Sequence, residues 1–336
     1  MKRALKRLFG LLLVLGVLAL AAWLWIQREI APTAKTPEFY YRVEGSPNLP
    51  QVLNELRARG VVRNPDALRL YATIVRRQPR IREGTYRLAG GLEADEILKR
   101  LGEPIRQMVR IPETNLLVRT ARLLEQKEVL KAEEYLTLAR SPEGFRERFP
   151  EIPLPKESLD GYLFPDTYDL PPLLGAEKTI VKQLQAFRDK VMPVVKDPEN
   201  LHRAIIVASM VELEAARDEE RPVIAGVIEN RLRLGMPLQI DATVLYALGE
   251  WKNLTRAELR STQSPYNTYL NKGLPPGPIC SPSLASIQGA LQPAKHDYLF
   301  YVAIPGTGGR HAFAATYEEH LANIAKRRRL QSQGVQ

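Results

Sequence analysis

A single cysteine, Cys280, stands in 336 residues, so the chain can form neither a disulfide framework nor a cysteine-based zinc site. The four histidines (His202, His296, His311 and His320) are scattered, with no H-E-x-x-H spacing, and neither a metal nor a cofactor is expected. There is no G-x-S-x-G elbow, no P-loop and no Rossmann glycine triplet, which removes the usual signatures of serine hydrolases and nucleotide-binding enzymes. The cluster Gly306-Thr307-Gly308-Gly309 reads as a turn, and Cys280, beside Ile279 and close to Pro282, as a packed thiol. The net charge of +10 invites a nucleic-acid reading. Its placement opposes one. Lys2, Arg3, Lys6 and Arg7 at one end, and Lys326, Arg327, Arg328 and Arg329 at the other, carry eight of those charges, leaving a nearly neutral body.

One long uncharged run is present. Leu8 to Ile26 is 19 residues without a charged side chain. At about 1.5 Å per residue it reaches roughly 28 Å, close to the thickness of a bilayer core. Four basic residues precede it, and Trp23 and Trp25 sit at its far end, where interfacial aromatics belong. Ala19-Leu20-Ala21 is A-x-A-like, but the apolar run continues past it, so an uncleaved anchor is expected rather than a removed signal peptide. The expected topology is single-pass in the cell (inner) membrane, residues 1–7 cytoplasmic and the body periplasmic or otherwise extracytoplasmic.

The body reads as α+β. Residues 27–38, containing APTAKTP, form a linker without apolar period. Residues 39–107 form a small module, with strands at 39–43 and 84–88 and helices at 49–58, 65–77 and 92–101. Residues 108–158 form a connecting subdomain with a strand at 108–112, a helix at 116–130, and a Pro- and Arg-rich boundary at 141–156. Residues 159–330 form a larger mixed α/β block with helices at 176–191, 202–216 and 219–234, the last with Pro222 in its first turn. A Gly/Pro loop at 273–282 and a strand at 298–303 follow, and a tail occupies 331–336.

The chemistry centres on Ala208-Ser209-Met210-Val211-Glu212-Leu213-Glu214-Ala215-Ala216, two carboxylates in an otherwise apolar helix. Helical spacing places Glu212 on a face with Ala208, Ala215 and Ala216, a setting that would desolvate it and suit a general acid. Glu214 shares its face with Met210, Arg217 and Asp218, and Arg217 three residues on would hold it ionised. Glu212 is therefore the expected acid, and Glu214 a supporting residue. The bland alternative is a helix-end carboxylate bonded to backbone or to an arginine. Gln239, Asp241, Thr243 and Tyr246, then Tyr266 and Asn267, then His311, supply the hydroxyls, amides and rings that suit a saccharide cleft.

These stretches resemble the MltG (YceG-like) family of membrane-bound endolytic murein transglycosylases. The resemblance rests on Leu159 to Tyr168, Ala208 to Glu214, Val227 to Leu234, Leu238 to Val244, Tyr266 to Tyr269, Gly273 to Ile279 and His311-Ala312-Phe313. Two positions depart from the family pattern: Asp160 stands where glutamate is usual, and Thr114 where the family has glycine after Ile111-Pro112-Glu113. The resemblance implies an anchor, a LysM-like module at 39–107 and a catalytic domain at 159–330. It also implies cleavage of the β-1,4 bond between N-acetylmuramic acid and N-acetylglucosamine in nascent peptidoglycan strands, leaving 1,6-anhydro-muramyl ends and limiting strand elongation. A single glutamate suffices for that reaction, unlike the carboxylate pair of ordinary glycosidases. By resemblance the role falls to Glu212, with Gln239, Asp241, Thr243, Tyr266, Asn267 and His311 as glycan-contacting or Glu-orienting residues. Peptidoglycan synthases are the implied protein partners. The alternatives are a non-catalytic wall-binding protein and a hydrolase using a second carboxylate, Asp241 or Asp166.

Overall fold

The computed structural model describes residues 2–114 and 116–334 and, of residues 2–4, the backbone alone. The chain divides into two units: residues 2–107 with 169–174, and residues 108–168 with 175–334. Positions 1, 335 and 336 of the two expected end segments lie outside the described residues.

The first unit opens with α1 (Lys2–Glu29), of which Leu5–Glu29 is long and apolar enough to cross a membrane. Its apolar side chains are exposed as far as Trp25, and Ile26 is the first to be buried. Beyond it, β1 (Phe39–Val43) pairs antiparallel with β2 (Gly84–Leu88), Phe39 opposite Leu88 and Val43 opposite Gly84. Three amphipathic helices cover this hairpin: α2 (Leu49–Ala58), α3 (Pro65–Ile74) and α4 (Ala94–Gly102). Their apolar stripes meet Tyr41, Val43, Tyr86 and Leu88 through Leu53, Leu56, Leu68, Ile97 and Leu101. Asn48 and Asn64 cap α2 and α3 by accepting the backbone N–H three residues on, and a proline occupies each first turn, which fixes where both helices begin. Helix α3 stops at Ile74, three residues short of the expected end, and Arg76 takes a left-handed φ of 55° just beyond it.

The stretch 31–37 lacks apolar period, yet it is docked on the module. Thr36 Oγ1 accepts from Gly90 N at 2.6 Å, and Thr33 Oγ1 from Gly91 N at 3.2 Å. A Cβ on Gly90 would stand 2.4 Å from Ala34 O, so only glycine permits this approach. Residues 169–174 join the same unit: Thr85 Oγ1 donates to Pro172 O at 2.5 Å, and Asp169 accepts from Gln107 N at 2.9 Å.

In the second unit β3 (Met108–Arg110) and β4 (Thr167–Asp169) pair, flanking α5 (Leu117–Gln126), α6 (Ala132–Ala139) and α7 (Glu143–Arg148). The single helix expected over 116–130 is thus shorter, and a helix occupies part of the expected boundary at 141–156. Glu128, with φ 58°, breaks the helical path, and Phe145 and Phe149 bury the segment that composition alone marked as irregular. There follow α8 (Ala176–Lys190), α9 (Leu201–Glu214), α10 (Arg221–Arg233), α11 (Asp241–Leu248), α12 (Arg256–Ser261) and α13 (Leu284–Leu291). The hairpin of β5 (Phe300–Ala303) and β6 (His311–Ala314), then α14 (Tyr317–Ser332), complete the unit.

Helix α9 is its centre. From Ala204 to Glu212 every residue is buried, so it has no solvated face and no amphipathic period. Helices α10, α11 and α13 pack around it. Gly161, at φ 80°, lets the 160–161 turn approach it: a Cβ there would lie 2.6 Å from Ile205 Cγ2. Gly306, Gly308 and Gly309, all at positive φ, turn β5 into β6.

Candidate functional site

Helix α9 ends at Glu214, two residues before the expected end. Ala215 turns to extended geometry, and α10 restarts at Arg221 with Pro222 in its first turn. The helical-face argument fails at this point, because Arg217 lies beyond the helix. Its guanidinium pairs with Glu219 at 2.7 Å and approaches Gly308 O, leaving Glu214 without a cation from that side.

Glu214 instead turns into a cavity of about 430 Å³ lined also by Arg231, Gln239, Asp241, Tyr269, Tyr301 and His311. Its Oε2 accepts from the buried Tyr301 hydroxyl at 3.0 Å. Burial drives the Glu214 pKa above the usual carboxylate range. Asp241 adds to the rise, while the Tyr301 hydrogen bond and His311 partly offset it. A carboxyl with a raised pKa at the edge of a cavity can act as a general acid.

Glu212 has the opposite environment. It is buried, and its Oε2 accepts from Ser283 N at 2.8 Å and Ser283 Oγ at 2.5 Å. Arg221 Nη1 lies 3.2 Å away, its side chain nearly as enclosed as the carboxylate it faces. The small apolar face predicted for Glu212 is therefore occupied by an arginine and the first turn of α13, and Glu212 does not line the Glu214 cavity. The expected geometries of the two glutamates are exchanged: Glu212 is the ion-paired one and Glu214 the desolvated one.

Three of the other expected residues meet Glu214. Gln239 holds a left-handed φ of 54° and is tied by its N–H to Thr268 O at 3.1 Å. Asp241 opens α11 and accepts from the Tyr269 hydroxyl at 2.5 Å. His311 opens β6, opposite Ala303 on β5. Thr243 and Asn267 are fully buried and absent from the Glu214 cavity lining. Thr243 Oγ1 bonds Ile240 O at 2.6 Å and Thr268 Oγ1 at 2.9 Å, and Asn267 Nδ2 donates to Leu259 O and Thr262 O. Their polar groups are spent on fastening the 264–271 loop to α11, so the direct-contact expectation is corrected for both. Tyr266 lines a different cavity. Asp166, the other carboxylate considered for hydrolysis, pairs with Lys190 at 2.5 Å and is absent from the Glu214 cavity.

Two residues tied to the walls of this cavity were not singled out from the sequence. Glu220 is buried and grips His311 twice: Oε1 accepts from His311 N at 2.8 Å, and Oε2 lies 2.7 Å from Nδ1. That fixes the imidazole, whose edge meets the Tyr301 ring at 5.4 Å. Arg231 donates to Leu299 O at 2.6 Å and Leu238 O at 2.7 Å, stitching α10 to two cavity walls. Only the run of acids at 218–220 before Pro222 hinted at Glu220, and that run reads equally as a solvated turn. Cys280 is buried with its thiol on Ser209 O at 3.3 Å, and burial raises its pKa, so it is no nucleophile. Among the described residues no group of three or more His, Cys, Asp or Glu side chains could hold a metal ion.

Residues 41–326 match the family model of the YceG-like family. A curated relative in Streptococcus pneumoniae serotype 2 (strain D39), named endolytic murein transglycosylase, is 31% identical over 84% of this chain and 57% of its own length. A Bacillus subtilis (strain 168) protein of the same name is 39% identical over 53% of this chain and 49% of its own. The chain thus spans about half the length of the curated relatives it matches. The crystal structure of a YceG-like protein from Listeria monocytogenes is similar at 30% identity, with a TM-score of 0.57 over 85% of this chain and 99% of that one.

Proposed function

The chain belongs to the YceG-like family, and on that premise we propose that it is a membrane-anchored endolytic murein transglycosylase with Glu214 as its single acid/base. The observation that carries this reading is the Glu214 carboxyl itself, half-buried, raised in pKa by desolvation and facing a polar cavity. Protonated Glu214 gives its proton to the glycosidic oxygen between N-acetylmuramic acid and N-acetylglucosamine, and the bond to muramyl C1 breaks. The muramyl C6 hydroxyl attacks C1, closes the 1,6-anhydro ring and returns its proton to the Glu214 carboxylate. No water is consumed. Tyr301, donating to Oε2, keeps the carboxylate from drifting and stabilises it once ionised. Glu220 orients His311 at the same cavity.

Glu212 is a structural anchor that joins α9, α10 and α13 through Arg221 and Ser283. Gln239, Asp241 and Tyr269 are the glycan-contacting residues. A LysM-like role for residues 39–107, as glycan binder or as spacer above the bilayer, agrees with their separate core. A cytoplasmic start agrees with the basic residues before the apolar run. Synthases that polymerise glycan strands would be the natural partners of an enzyme that limits strand length. Asp241, which shares the cavity, supports a second reading as a two-carboxylate hydrolase.

The full chain incubated with uncrosslinked glycan strands separates these readings by mass spectrometry. Anhydro-muramyl ends are expected. Reducing ends carrying an added water would establish hydrolysis, and unchanged strands would leave a binding protein.

A further inference from the structure

A second, larger cavity of about 770 Å³ lies at the other end of α11 within the same unit. Asp241, at the start of the helix, lines the Glu214 cavity, and Tyr246, five residues on, lines the second. Five residues of helix advance about 7.5 Å, within reach of a short oligosaccharide. The 264–271 loop bridges the two cavities in the same way, with Tyr269 in one and Tyr266 in the other.

The walls of this cavity are aromatic. Tyr246 and Tyr266 lie 4.6 Å apart between ring centroids, and Trp251 joins them. The buried Trp251 Nε1 has no hydrogen-bond partner among the described residues, an orphaned donor that a bound acceptor would satisfy. At the rim stand Arg119, Arg122 and Arg140. None of the three is in an ion pair among the described residues, and Arg119 lies 5.9 Å over the Trp251 ring. Arg119 and Arg122 are one helical turn apart on α5 and so share a face. The cavity's other cation, Lys252, is already committed to Glu250 and Glu258. Solvated arginines are common on surfaces. Here Arg119 and Arg122, with Arg140 whose charge also acts on Asp160 in the same lining, stand beside two tilted tyrosine rings and an unsatisfied indole N–H, a set that suits a ligand with an apolar face and carboxylates.

We propose that this cavity is a distal subsite for the carboxylate-bearing peptide that muramyl residues carry, holding a peptide-substituted sugar while the bond to be cleaved lies at Glu214. The ligand's identity rests on the function proposed above. The subsite selects strands that still carry peptides.

The test uses the full chain in detergent, with glycan strands bearing peptides and the same strands stripped of them. In Arg122→Gln/Arg140→Gln, and separately in Trp251→Phe, KM for peptide-bearing strands should rise by about 10-fold, the order of one lost charge-assisted bond. Their kcat, and both constants for stripped strands, should be unchanged. Equal effects on the two substrates, or none on either, overturn the proposal. Calorimetry with a soluble N-acetylmuramyl tripeptide, and with N-acetylglucosamine oligomers as the uncharged control, reads the subsite without turnover. Binding of the muramyl peptide alone, weakened in the double variant, supports the subsite even if no strand is cleaved. An active wild-type chain that fails to bind the peptide overturns the subsite and leaves the proposed activity standing.

Discussion

Exchanging each of the two α9 glutamates for glutamine separates the acid from the anchor. In Glu214→Gln the amide oxygen still accepts from the Tyr301 hydroxyl, now 3.0 Å from the carboxylate, and the volume is kept. What disappears is the proton, together with the cost of keeping an ionisable group in a desolvated position. General acid catalysis contributes about 10²–10⁴-fold, or ~3–5 kcal/mol of barrier, so cleavage should fall by that factor with stability unchanged or raised. In Glu212→Gln the proton relay is untouched, but Arg221 loses the negative partner 3.2 Å away. Stranding a wholly buried charge costs about 3–5 kcal/mol. Arg221 keeps Asp218 at 2.8 Å and Ser286 at 2.5 Å, and Ser283 can still donate to the amide, so the expected loss is smaller, about 1–3 kcal/mol. Anhydro-muropeptide yield by mass spectrometry measures the first effect, and the urea midpoint followed by circular dichroism the second. Glu214→Gln should be inactive and folded, Glu212→Gln active and less stable. A fully active Glu214→Gln beside an inactive, equally stable Glu212→Gln would refute the reasoning and return the acid to Glu212.

Further outcomes follow from the same geometry. Because the Tyr301 hydroxyl lowers the Glu214 pKa against the larger rise from burial, Tyr301→Phe should move the alkaline limb of the kcat–pH profile upward; a downward shift would contradict the assigned hydrogen bond. Glu220→Gln should loosen His311 and lower kcat by about 10-fold while KM and the unfolding midpoint change little, a split that a purely structural Glu220 would not give. Asp160, raised by burial from 3.8 to about 6, binds its proton more tightly folded than unfolded, so stability should decline as pH rises from about 4 to 6. At about 1.4 kcal/mol per pH unit the decline is at most ~3 kcal/mol, and Asp160→Asn should abolish it in urea melts taken across that window.

The anchor-length apolar run, the strand–helix–strand order of the first module and the Pro222 restart of α10 were all legible in the sequence, because each depends on residues close together along the chain. Gln239, Asp241 and His311, singled out from the sequence, line one cavity with an α9 glutamate. Helices α6, α7 and α11 to α14 escaped notice. The first five span only six to eight residues, too few for an amphipathic period to declare itself, and α14 has a charged surface and no buried residue.

The choice between Glu212 and Glu214 lay beyond the sequence for a specific reason. Spacing along a helix ranks neighbours only while the helix continues, and α9 stops at Glu214. From there the environment of each carboxylate is set by chain segments distant in sequence. Arg221 and Ser283 neutralise Glu212, whereas Tyr301 and His311 come across from the β5–β6 hairpin to Glu214. Local sequence was enough to place two carboxylates in an apolar helix and to mark a polar stretch after it. Which glutamate faces a cation and which has its pKa raised by burial follows from the packing, because desolvation and ion pairing depend on what surrounds a group in space.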